Sequence, residues 1–304
     1  MRTFSRWLVL ATALSGAAAH ADDNDLVLSR FGVQRRGVTS VITDAQFAEA
    51  SADFRAFART FGAVMTSANL MPPRTTGHSG FAFNAELSVV SLPSSEDVAL
   101  PTEKEQPGSV LVPSLHVRKG LPFSLELGGR VGWIEKSGMV TATGELKWAV
   151  NEGFTYLPDV GARLHVTKLF GAHNLDLTTT GLDIGVGKQF PLGGMVTLTP
   201  YGGLDLNFVS ATTRTLDFDP GRTQTDSGGN DSRDALTNAA PYSKVKGGDN
   251  LTPRFYAGAR FVGGVLQLGA ELSLTSLGSF EQEGAGSRDL PSVFAFNTTL
   301  GLDF

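Results

Sequence analysis

Leu266-Gln267-Leu268-Gly269-Ala270-Glu271-Leu272-Ser273-Leu274 alternates apolar with polar or small side chains along its whole length. A period of two belongs to a β-strand, which sends successive side chains to opposite faces. Toward the C-terminus the pattern returns in Phe294, Phe296, Leu300, Leu302 and Phe304, interleaved with Ala295, Asn297, Thr299, Gly301 and Asp303. Toward the N-terminus it returns over residues 81–89, 111–118, 123–133, 140–148, 159–167, 182–187, 196–208 and 254–261, making ten runs in all. Most approach the roughly 9–11 residues that a tilted membrane-crossing strand needs. Leu175 and Leu177 stand in the opposite phase to Leu182, Ile184 and Val186, which predicts a bulge or a strand start near Thr179.

The connections sort by length. If the last strand runs inward, the links at 119–122, 150–155, 191–194 and 263–264 share one end and are all short. The links at 92–109, 135–138, 171–174, 210–252 and 278–291 share the other end, and three of them are long. Short periplasmic turns and longer outside loops are the layout of an outer-membrane barrel. Composition agrees. Gly accounts for 36 of 304 residues, charged residues for 18%, and the net charge is −5. An apolar share of 41% is too high for a disordered chain, and the charge balance does not suit nucleic acid. The absence of cysteine excludes thiol catalysis and cysteine-ligated metals.

The first residues have a leader's three parts: Arg2 and Arg6, the short apolar stretch 7–14, and the small-x-small motif Ala19-His20-Ala21 ahead of Asp22-Asp23. No later apolar run is long enough for a spanning helix. The expected fold is therefore all-β, a transmembrane antiparallel β-barrel of ten strands, with twelve as the alternative count, preceded by an α-helical segment. The expected division is a signal peptide over 1–21, an N-terminal periplasmic or plug segment over 22–79, and the barrel over 80–304.

The chain ends on Phe304, with Leu302, Leu300 and Phe296 on the same strand face. This resembles the terminal-strand signature of the Gram-negative outer-membrane β-barrel superfamily, and the resemblance covers the leader and residues 80–304. It implies that Phe304, Leu302 and Leu300 address the chain to the barrel-insertion machinery, with outer-membrane lipid as surroundings.

Residues 22–79 follow another pattern. Phe47, Phe54, Phe57, Phe61 and Met65 recur at helical spacing among Asp44, Glu49, Asp53, Arg55 and Arg59, which predicts an amphipathic helix over 44–66. Thr43 and Gln46 fit a capping box, and Pro72-Pro73 ends any helical continuation. Sequence order puts the start of this segment at the periplasmic side. Its phenylalanine stripe is expected to be buried against the barrel, inside the lumen or across its mouth. A helix ahead of a barrel is similar in layout to the long-chain fatty-acid and aromatic-hydrocarbon transporter family. That family's Asn-Pro-Ala hatch motif is absent, the corresponding stretch being Asn69-Leu70-Met71-Pro72-Pro73.

With apolar faces toward lipid, the charged set Glu86, Glu126, Arg130, Glu145, Lys147, Asp159, Arg163, His165, Asp183, Asp205, Arg254, Arg260 and Glu271 faces the lumen. Both signs are present, so a paired network is expected. Catalysis is not. The omptin family of ten-stranded proteases uses an Asp-His pair with further Asp residues; His173 stands beside Asp176 here, without a second acidic pair. A lipid-hydrolysing barrel needs a Ser-His pair facing lipid, whereas His116 and His165 are assigned to the lumen. Asp217, Asp219, Asp226, Asp231 and Asp234 match no calcium-loop spacing and read as a solvated loop. Gly185 and Gly187 read as strand glycines that ease curvature. The expectation is a passive channel or transporter for small solutes, or alternatively a non-conducting structural or surface-interaction barrel with a filled polar lumen. No cofactor, metal or nucleic-acid partner is expected.

Overall fold

The computed structural model describes residues 22–31, 44–66, 68–193, 196–217, 239–282 and 286–304. The leader, Thr43 of the capping box, and Asp219, Asp226, Asp231 and Asp234 lie outside these residues, as does the side chain of Asp217. A 3₁₀ turn at Leu28–Phe31 and helix α1 at Asp44–Met65 precede the strands. The strands are β1 Phe81–Ser91, β2 Ser109–Leu121, β3 Leu125–Trp133, β4 Val140–Asn151, β5 Asp159–Phe170, β6 Leu175–Gly187, β7 Phe190–Gly193, β8 Val196–Thr213, β9 Leu216–Asp217, β10 Ala239–Ala240, β11 Leu251–Gly263, β12 Leu266–Thr275, β13 Ser279–Gln282, β14 Gly286–Asp289 and β15 Val293–Asp303.

Ten of them close on themselves in the order β1-β2-β3-β4-β5-β6-β8-β11-β12-β15, with β15 returning to β1. Every pair is antiparallel, and the closing pair runs in register from Ala82 opposite Asp303 to Val90 opposite Ala295. Closure leaves no long unpaired edge. The remaining strands are short: β7 adds to β8, while β9–β10 and β13–β14 form small ribbons. One end of the barrel carries tight turns, as at Gly264, whose φ of +65° suits glycine. This is the turn end; the links 92–108, 134–139, 171–174 and 276–292 define the loop end.

Burial alternates along the barrel strands, most regularly in β1, β2, β6 and β15. Phe81, Phe83, Leu115, Trp148, Leu164, Ile184, Phe255, Leu272, Phe296 and Leu300 are exposed on the outer wall, while Glu86, His116, Arg163, Asp205 and Arg254 are buried inside. Apolar outside and charged inside inverts the soluble pattern and is the distribution of a transmembrane barrel. Aromatic side chains mark both margins of the apolar wall, with Trp133, Phe170 and Phe294 near the loop end and Phe81, Trp148 and Phe304 near the turn end.

The phase change in β6 is neither a bulge nor a strand start, since β6 begins at Leu175. β6 pairs with β8 in unbroken register from Leu175 to Gly187. Leu175, Leu177 and Thr179 simply point inward, as do Val90, Val110, Val112, Leu169, Val209, Ala211, Val293 and Ala295 on other strands. All sit in the loop half of the barrel. The inner face is thus apolar in its loop half and charged in its turn half.

Candidate functional site

The lumen is the candidate site, and residues 44–66 and 68–80 occupy it, while residues 22–31 dock on the loops. Their path begins at the loop end. The Asn24 N–H donates to the Lys136 carbonyl at 2.8 Å, the Val27 N–H to Pro101 at 2.6 Å, and Leu26 bridges Thr102. Lys104 meets Asp23 at 2.5 Å, and this hydrogen bond raises its ammonium above the usual lysine range. Sequence order had put the start of this segment beside β1, at the turn end. Residues 22–31 instead lie across the loops at the opposite end, while α1 and residues 68–80 occupy the lumen ahead of β1.

Helix α1 fills the loop half. Phe54, Phe57 and Phe61 are buried, and Phe47, near the exposed first turn, is only partly so. Phe57 packs on Phe31 and Phe61 at centroid distances of 5.7 and 5.4 Å, and Phe54 stacks on Tyr242 at 5.2 Å. The inward valines and leucines of the wall complete this cluster. Burying each ring contributes roughly 1.5–3 kcal/mol. The helix's buried charges, Asp53 and Arg59, meet the rim. Arg59 donates to the Leu277 carbonyl at 2.7 Å, to Asn250 Oδ1 at 2.9 Å and to the Asp249 carbonyl at 3.0 Å. Asp53 pairs with Arg288 of β14 at 2.8 Å.

Below α1 the chain becomes irregular, and the wall supplies the hydrogen bonds that a helix would make internally. Both Glu271 oxygens accept from backbone N–H groups, Asn69 at 2.9 Å and Leu70 at 2.7 Å. Arg130 donates to the Ala68 carbonyl at 2.8 Å, and Lys147 to the Arg74 carbonyl at 2.9 Å. Glu152 accepts from the Thr75 N–H at 2.9 Å and Glu126 from the Thr76 N–H at 2.8 Å.

Around this strap the lumenal charges form a belt. Glu86 meets Arg130 at 2.7 Å and His116 Nδ1 at 2.9 Å, and His116 Nε2 meets Glu145 at 2.7 Å. Arg163 bridges Glu145 at 2.9 Å to Asp183 at 3.0 Å. Asp205 takes His165 at 3.1 Å and Arg254 at 2.8 Å. Tyr256 donates to Asp183 at 2.7 Å, and Tyr201 to Glu271 at 3.1 Å. Inward glycines make room for these groups: a Cβ on Gly181 would stand 2.1 Å from His165 Nε2, and one on Gly128 2.4 Å from Glu145 Oε1. Gly185 and Gly187 belong to the same set, since a Cβ there would meet the Tyr256 hydroxyl at 2.8 Å and Pro73 Cδ at 3.0 Å. Their smallness serves the lumenal contents directly, beyond any ease of curvature.

Most of the charged residues singled out in the sequence meet in this belt. Asp159 and Arg260 stand apart: Asp159 accepts from the Gly153 N–H at 2.8 Å, and Arg260 faces Asp303 at 3.8 Å. His116, Arg118, Tyr201 and Tyr256 join the lumenal network without having been in the charged set. Their place in the inward phase of β2, β8 and β11 was the signal available. Among the described residues, no group of three or more His, Asp or Glu side chains is arranged to hold a metal ion. Within the charged half, a cavity of about 10 Å³ lies between strap and wall beside Pro72, Lys147 and Tyr256.

No protein-family model matches the chain, and no curated protein matches its sequence. Among solved structures, the chain is similar to neisserial surface protein A (12% identity, TM-score 0.27, 73% of this chain and 95% of that one). It is also similar to LpxR from Salmonella typhimurium (10% identity, TM-score 0.36, 74% and 99%). The translocator domain of the autotransporter NalP from Neisseria meningitidis gives 10% identity and a TM-score of 0.34, over 88% of this chain and 99% of that one. At such identities and scores the likenesses carry no inference about family or activity.

Proposed function

We propose that this chain is a Gram-negative outer-membrane barrel with an occluded lumen, serving a structural or surface-interaction role rather than steady solute passage. In this proposal residues 1–21 export the chain and are cleaved, and Phe304, Leu302 and Leu300 address it to the insertion machinery. The apolar outer wall with aromatic margins supports the membrane location. One observation carries the occlusion. The wall's own charges hold the strap, with Glu271 on Asn69 and Leu70, Arg130 on Ala68, and Lys147 on Arg74. An open polar conduit would leave those side chains to water and ions. No catalytic step enters the proposal: Glu86, Glu145, Asp183, Asp205 and Glu271 each face a counter-charge, a hydroxyl or the strap.

The test is single-channel recording of the mature chain in planar bilayers. Membranes containing folded protein, verified by heat-modifiable migration on gels, are expected to stay electrically silent. A steady ohmic conductance from the intact chain would overturn the occluded role in favour of passage.

A further inference from the structure

The outer wall is largely apolar, and its one pair of opposite charges among the described residues lies near the loop margin. Among the outward-facing positions of the ten barrel strands, the charged residues are Lys119, Lys168 and Asp176. Lys119 sits at the turn end, donating to the Ser79 carbonyl at 2.7 Å. Lys168 and Asp176 sit 3.4 Å apart near the loop ends of β5 and β6. Polar residues extend the break across neighbouring strands: Thr178 lies opposite both Lys168 and Ser210, and Thr212 lies opposite Asp176. Elsewhere the wall stays apolar close to its loop margin, at Val89, Leu111, Trp133, Val140, Leu274 and Phe294. Above the break, exposed Arg214 and His173 help line a recess of about 630 Å³.

We propose that this notch binds the phosphate of a lipid headgroup, an inference that rests on the membrane location given above. A lysine between Val166 and Phe170 in a lipid-facing row is costly unless it reaches the headgroup level. There its ammonium keeps donors beyond the one shared with Asp176. Arg214 offers the planar fork that suits phosphate oxygens, and the threonine and serine hydroxyls add neutral donors. Among the described lining residues two cations face one carboxylate, and an anion is the complementary partner. The position at the apolar margin selects a headgroup over a soluble ion, because the acyl chains then lie along Val166, Leu182 and Phe208 on the outer wall.

The experiment compares wild type with K168A/R214A and T178V/S210V in neutral detergent, each first confirmed as a folded membrane-fraction protein by heat-modifiable migration. Native mass spectrometry reads co-purified phospholipid, and titration with phosphatidylglycerol in neutral micelles reads affinity. Wild type should retain phospholipid in a salt-sensitive manner. K168A/R214A should weaken phosphatidylglycerol binding at least tenfold, with T178V/S210V in between. Equal binding by wild type and both variants overturns the notch, as does a difference that appears only in a co-purifying protein. Inorganic phosphate that competes as well as the lipid overturns the headgroup assignment. Recovery of wild type in the soluble fraction is a separate result, and it would remove the membrane location itself.

Discussion

The two halves of the lumen are filled by opposite chemistries, and the conformation of the filler decides which. In the loop half the filler is α1, whose backbone groups bond one another. A helix asks nothing polar of its surroundings except at its ends, so Val110, Leu169, Leu177 and Val209 suffice as wall. In the turn half the filler is an irregular strap with no regular hydrogen-bond pattern of its own. Buried backbone N–H and C=O groups must be paired, and the wall answers with carboxylates, Arg130 and Lys147. Burying those charges is costly alone, so they are also paired with each other around the belt.

Removing the filler should have the largest effect. Deleting residues 22–66 takes away α1 and the docking of residues 22–31 on the loops. Provided the barrel still assembles, silent membranes should begin to conduct, and small-dye uptake into vesicles should rise. Unchanged permeability in a well-folded deletion would mean that the turn half alone closes the lumen. Phe57→Ala tests the apolar half by itself: the ring is fully buried, and its loss should cost about 3–5 kcal/mol in denaturant unfolding from lipid. Phe47→Ala, at the partly exposed start of the stripe, should cost roughly 1 kcal/mol or less. Similar costs at both positions would break the picture of a helix that is seated progressively deeper. Glu271→Gln tests the charged half. It keeps one acceptor for the strap but turns the other oxygen into a donor facing a backbone N–H, so it should cost about 1–3 kcal/mol. It should also produce brief openings in bilayer recordings, which Phe57→Ala at matched stability should not.

The barrel was legible because alternation is a local property. Each run from 81–89 to 294–304 states which side chains share a face, and the sorted links state which ends are joined. The charged belt followed from the same parity. What alternation cannot state is what the inward face meets. Leu175 and Leu177 looked out of phase because the rule equated apolar with outward, whereas in β6 the partner inside is a helix. Residues 22–31 were out of reach for a related reason. Their docking on Lys136 and Pro101 depends on a chain path through the lumen that no local pattern encodes. The notch at Lys168 and Asp176 was visible as two charges, but its place on a largely apolar wall appears only once the strands stand side by side.

A comparably small effect concerns how closely α1 approaches the wall. Gly62 lies in the helix interior, where exchange for alanine ordinarily stabilises by roughly 0.5–1 kcal/mol. Here a Cβ would stand 2.8 and 3.2 Å from the two Val209 methyls and 3.3 Å from the Thr179 methyl. Both neighbours are β-branched, with few rotamers to retreat into, and both belong to strands locked into the closed sheet. Overpacking of this kind costs about 1–3 kcal/mol, so Gly62→Ala should destabilise by about 1 kcal/mol after the helix gain is subtracted. Val209→Ala should remove the conflict. The double variant is therefore expected to be more stable than the sum of the single changes, by about 1 kcal/mol in a double-mutant cycle. If Gly62→Ala is stabilising in the wild-type background, α1 stands farther from β6 and β8 than the apolar half requires. That result would leave the charged strap as the tighter of the two seals.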